Sequence, residues 1–114
     1  MTIEGIDGIF LETHNWGQAA KYYQALGFEL DFATDHGSGL LRHRTGPYVF
    51  LVEVPADQEA RTQFVLKVTD EQAFQPDAVL EVLTEFEDTH YGTREMLVRD
   101  PDGRLWNLQA PGKD

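Results

Sequence analysis

Phe10-Leu11-Glu12-Thr13-His14-Asn15 and Val65-Leu66-Lys67-Val68-Thr69-Asp70 carry one pattern twice, once in each half of the chain. In both, an apolar run of strand character ends in Asn or Asp, a side chain that accepts the free amides at the start of a helix. A strand leading straight into a helix, repeated after the midpoint, makes the chain two similar halves rather than one continuous plan.

The same logic extends outward in the first half. Ile3 to Thr13 reads as a strand with one buried face. Asn15 caps a helix from Trp16 to Leu26, and Gly27 stands where a left-handed residue closes it. Trp16, Ala19 or Ala20, Tyr23 and Leu26 form its apolar stripe. Strands at Phe28–Thr34, Leu40–Arg44 and Tyr48–Val54 follow, separated by turns at Asp35-His36-Gly37-Ser38-Gly39 and Thr45-Gly46-Pro47. Pro55 to Arg61 is polar, proline-led and without period, and reads as a linker.

The second half begins with a strand at Thr62–Val68. Pro76 interrupts the helix that Asp70 would start, leaving one or two turns. Strands at Val79–Glu87, Arg94–Arg99 and Arg104–Gln109 complete it. Asp100-Pro101-Asp102-Gly103, with proline second and glycine fourth, predicts a type I turn between the last two. The expected architecture is α+β: two β-α-β-β-β modules, 3–54 and 62–110 around the linker 55–61, forming one domain whose curved, barrel-like sheet surrounds a pocket.

Composition narrows the chemistry. With 114 residues, 41% hydrophobic and 11% aromatic, the chain can bury a core without staples. It has no cysteine, which excludes disulfides, zinc–thiolate sites and thiol nucleophiles. Twenty acidic against nine basic side chains give a net charge of −11, which repels nucleic acid and anionic membranes; it suits a cationic partner, with an ordinary acidic soluble surface as the plainer reading. No stretch approaches the roughly 20 apolar residues that cross a bilayer, and no leader is visible, so a cytoplasmic location is expected.

Three stretches resemble the vicinal oxygen chelate superfamily, which includes glyoxalase I, extradiol dioxygenases and bleomycin-resistance proteins. They are Tyr22-Tyr23-Gln24-Ala25-Leu26-Gly27-Phe28, then Tyr91-Gly92-Thr93-Arg94-Glu95 entered through Glu87-Asp88-Thr89-His90, and Val98-Arg99-Asp100-Pro101-Asp102-Gly103 with Trp106 close behind. The resemblance implies paired β-α-β-β-β modules, and a pocket rim shaped in part by Arg94 and Glu95.

Enzymes of that superfamily hold a divalent metal with four side chains, on the first and last strands of each module. Family spacing places these positions at Gly8, Glu53, Gln63 and Asn107. One carboxylate, two neutral amides and a glycine are a poor substitute for the imidazoles and carboxylates that such metals take. No catalytic metal or other cofactor is therefore expected, and polarisation of vicinal oxygens by a metal is not available.

None of His14, His36, His43 or His90 falls at a ligand position, and Ser38, the only serine, lies in a turn. Glu53 is the candidate base if there is turnover, with pairing to a cation as its bland alternative. Tyr48 and Trp106 are candidates to stack on a planar ligand. The expected function is binding of a small planar or cationic molecule by Glu53, Gln63, Asn107, Tyr48, Trp106 and Arg94, in a homodimer like the drug-sequestering resistance proteins. The alternative is a lyase or isomerase using Glu53 as base or metal ligand.

Overall fold

The computed structural model describes residues 3–90 and 92–112. Among these the order is β1 (Ile3–Thr13), α1 (Trp16–Ala25), β2 (Glu29–Ala33), β3 (Ser38–Arg42), β4 (Tyr48–Glu53), β5 (Thr62–Val68), a single 3₁₀ turn η1 (Glu71–Ala73), β6 (Glu81–Asp88), β7 (Thr93–Arg99) and β8 (Leu105–Pro111). The chain divides into two compact units. One is Gly8–Thr62, and the other takes in the chain up to Asp7 and from Gln63 onward.

The two units repeat one topology. In Gly8–Thr62 the strands run β2-β3-β4-β1, with β1 parallel to β4 and the remaining pairs antiparallel. In the other unit the order is β6-β7-β8-β5, again with the first strand parallel to the last. The twin strand–cap phrases thus occupy equivalent places: Asn15 Oδ1 accepts the Gln18 amide at 3.0 Å to start α1, and Asp70 Oδ1 accepts the Gln72 amide at 3.0 Å to start η1. Beyond η1 the backbone becomes extended at Phe74, two residues before Pro76, so one turn forms where α1 has ten residues.

Helix α1 covers one face of its sheet. Ala20, Leu41, Val49 and Leu51 are buried there, with Leu11, Trp16, Ala19, Tyr23 and Phe28 packed around them. Gly39 admits the Trp16 ring; a Cβ there would lie 2.6 Å from its Cη2. In the second unit Val68, Met96, Val98, Leu108 and Ala110 form the core, flanked by Ile3, Phe74, Phe86 and Trp106.

Several boundaries differ from those the sequence suggests. Leu26 caps α1 but is 58% exposed, so the stripe that packs on the sheet ends at Tyr23. Strand β3 runs from Ser38 to Arg42, not Leu40 to Arg44. Thr34 closes the turn early by donating its amide to the Ser38 carbonyl at 2.8 Å, and Gly37 takes the left-handed φ of 72° that this requires. Strand β6 begins at Glu81, since Asp77 accepts the Val79 amide at 2.9 Å and holds residues 77–80 in a turn. The Asp100–Gly103 turn forms as read, the Gly103 amide donating to the Asp100 carbonyl at 2.9 Å.

Candidate functional site

In the Gly8–Thr62 unit, the unbroken register of β1 on β4 decides which side chains share a face. Val49 and Leu51 lie beneath α1. Alternation therefore puts Gly8, Phe10, Tyr48 and Phe50 on the opposite side. Gly8 and Tyr48 are register partners, and the Tyr48 ring lies so close over the glycine that a Cβ there would overlap three ring carbons. Phe10 and Phe50 stack with centroids 5.6 Å apart and planes 17° apart, and Phe32 meets Phe50 edge-on at 6.3 Å. The result is an aromatic platform whose outer member, Phe32, is 47% exposed.

Glu53 is not on that platform. It lies three residues beyond Phe50, an odd step that turns it to the helix face. There its Oε1 accepts the amide of Trp16, the first residue of α1, at 2.8 Å. A carboxylate at a helix N-terminus satisfies a free N–H and meets the positive end of the dipole. The carboxylate expected to point into a pocket instead anchors α1 to the end of β4.

In the second unit, Leu108, Ala110, Met96 and Val98 face the core. Asn107, Gln109, Glu95 and Gln63 alternate with core residues and so occupy the other face. Asn107, 5% exposed, is the buried polar side chain among the described residues, and its Nδ2 donates a short hydrogen bond to Gln63 Oε1. One rung along, Gln109 Nε2 donates to Glu95 Oε2 at 3.2 Å. These two rungs make a polar row. Glu95 and Gln109 were not singled out as a ligand-binding pair by sequence reasoning, although counting in twos from Asn107 finds Gln109.

Trp106 and Arg94 stand on the opposite, core-side face of this sheet. Trp106 packs on Phe64 with ring centroids 4.7 Å apart, and its Nε1 donates to Asp100 Oδ2 at 3.1 Å. That bond, then the amides of Arg104 and Asp102, hold the Asp100 carboxyl below the usual carboxylate range. Arg94 donates through Nε to Glu71 Oε2 at 2.9 Å, through Nη1 to Asp88 at 3.3 Å and through Nη2 to the Phe86 carbonyl at 3.1 Å. The Glu71 bond is foremost in raising the Arg94 pKa, so it stays charged. It ties η1 to β6 and β7 and is not beside Asn107. Tyr91, quoted with Arg94 in the family motif, lies outside the described residues.

The histidines are dispersed. His14 Nε2 lies 2.7 Å from the Gln58 carbonyl, His36 pairs with Asp35 at 3.1 Å, and His43 sits edge-on to Phe28. Among the described residues, no three of His, Asp and Glu come together as a metal cluster would require.

Neither a family model nor a curated protein sequence matches the chain. Solved structures do. A glyoxalase/bleomycin resistance protein/dioxygenase superfamily member from Vibrio splendidus 12B01 superposes with a TM-score of 0.68 at 19% identity, covering 96% of this chain and 99% of that one. This is the vicinal oxygen chelate fold. The Mn(II)-bound glyoxalase of Novosphingobium aromaticivorans has a TM-score of 0.69 at 16% identity over 99% of this chain. The 2,2',3-trihydroxybiphenyl 1,2-dioxygenase of Sphingomonas wittichii strain RW1 matches at 0.69 and 18% over 97%. The chain spans 42% of the length of each of these last two.

The repeat gives the Gln63–Asn107 pair a counterpart in the first unit. Asn107 is the register partner of Val65, two residues past Gln63. The residue with the same relation to Gly8 is Phe50, partner of Phe10. Gly8 lies beneath the Tyr48 ring, and in the other unit Gln63 and Asn107 are bonded to each other. A divalent metal of the kind the superfamily's enzymes use does not fit these residues.

Proposed function

We propose that this protein binds a small planar molecule without a catalytic metal, in the manner of the bleomycin-resistance branch of the fold. The observation that carries the reading is the Tyr48 ring over Gly8: the place of a coordinating side chain is taken by an aromatic surface. The Phe10–Phe50 stack and the edge of Phe32 extend that surface, and stacking on such rings recognises flat ligands with little demand for polar groups. In the other unit, Gln63 with Asn107 and Glu95 with Gln109 present a separate polar row. The net charge of −11 favours a cation. Glu53 acts in this reading through α1, which it holds in place, and Arg94 and Trp106 act through the architecture around them. No helix among the described residues is long and apolar enough to cross a membrane, and we place the protein in the cytoplasm as a homodimer.

Metal analysis of protein purified without chelator, together with melting curves in a panel of planar cations such as acridinium and phenanthridinium dyes, tests the proposal. The expected result is metal well below stoichiometry and a melting temperature raised by a planar cation. At a ligand concentration ten times Kd the stabilisation is ~1.4 kcal/mol, a rise of about 5 °C for a domain of this size. Phe50→Ala abolishes the rise, while Glu53→Gln preserves it. Stoichiometric zinc, nickel, iron or manganese, or a panel without response, overturns it.

A further inference from the structure

In the first unit α1 covers the sheet face that carries Val49 and Leu51; in the second, only η1 and the extended run that follows it stand over the equivalent face. The shortfall leaves an open groove of about 520 Å³, walled by Ile3, Leu66, Phe74, Leu80, Val98 and Trp106, with Asp77, Arg99 and Asp100 among its polar residues. It lies on the opposite face of that sheet from Asn107, so it is separate from the polar row described above.

We propose that this groove binds a small amphipathic amine, its apolar part against Trp106 and its ammonium group at Asp77. Volume is the first reason, since the groove falls in the range of small-molecule sites. The second is the state of Trp106. Its N–H is already committed to Asp100 and its ring is packed on Phe64, so what it offers the groove is a pre-oriented π surface, which attracts cations as well as apolar groups. The third is charge. Arg99 is neutralised by Glu81, and Asp100 is saturated by Trp106 and two backbone amides and faces Arg104. Asp77 accepts the Val79 amide, and no basic side chain among the described residues pairs with it. The groove's uncompensated charge is therefore negative.

The chain has two tryptophans. Trp16 belongs to the other unit, so its indole ¹⁵N–H signal is an internal reference for that of Trp106. Titration with 4-phenylbutylamine, 4-phenylbutanol and 4-phenylbutyrate should move the Trp106 signal saturably and leave Trp16 in place. The amine should bind roughly two- to fivefold more tightly than the alcohol, the range of an exposed charge pair, with the acid weakest. Asp77→Asn keeps the acceptor for the Val79 amide and should reduce the amine to the affinity of the alcohol. A Trp106 signal indifferent to the amine overturns the proposal, as does equal binding of amine and acid, or an Asp77→Asn variant with undiminished preference. Val79 is 84% exposed; if Val79→Lys turns a dimer into a monomer by light scattering, a second copy covers the groove and the proposal fails. Because the variants differ, loss of this site leaves the Phe50 test of the planar-ligand reading untouched.

Discussion

Adding a single methyl at residue 8 should destabilise the protein, and the amount follows from the Tyr48 ring. Gly8 is not among the glycines with positive φ, so its backbone tolerates any L-residue. Relieving glycine's chain entropy within a strand should even return about 0.5–1 kcal/mol. Against this, a Cβ at that position overlaps three Tyr48 ring carbons, and forcing a packed ring aside costs roughly 1–3 kcal/mol. Taking the middle of each range, the net expectation for Gly8→Ala is a loss of about 1 kcal/mol, read as a lowered urea midpoint with an unchanged slope, or about 4 °C in melting temperature. Combining it with Tyr48→Ala should recover most of the steric part, giving a coupling of about 1–2 kcal/mol in a double-mutant cycle. A Gly8→Ala protein as stable as the parent, or a strictly additive double variant, refutes the claim that Tyr48 occupies this position, and the metal-free reading loses its main support.

Other expectations rest on separate contacts. Gln63→Ala leaves the buried Asn107 Nδ2 without its acceptor and should cost about 1–3 kcal/mol by urea unfolding; Gln63→Glu, which keeps an acceptor, should cost less at neutral pH. The folded pKa of Asp100 is below its ordinary value of 3.8, so its stabilisation is present above that pH and is lost as pH falls through the lower folded value. Asp100→Asn should therefore show a shallower loss of urea midpoint between pH 6 and pH 2 than the parent. Arg94→Met removes the tie between Glu71 and β7, and hydrogen exchange should quicken in residues 71–75 while β4 amides keep their protection.

Glu53 shows where sequence reasoning reached its limit. The residue is a competent base and lies near the end of the expected strand, so chemistry and approximate position both recommend it. What decides its role is parity, because side chains alternate across a strand and one extra residue exchanges the faces. The register puts Val49 and Leu51 under α1, and Glu53 must follow them. Trp106 and Asn107, neighbours in the chain, were grouped as ligand-binding residues, and the same parity sends them to opposite faces. Gln63 and Asn107, by contrast, which family spacing also selects, lie on one face and are bonded to each other.

What the sequence determined by itself is local: the two caps at Asn15 and Asp70, the Asp100–Gly103 turn, the shortened second helix and the twofold plan of strands, all of which depend on residues within one turn of each other. Only the tertiary structure decided that Tyr48 lies over Gly8, that Glu53 serves a helix and that a groove opens beside the extended run after η1. Each of those joins residues far apart in the chain, through a strand register that no short stretch encodes.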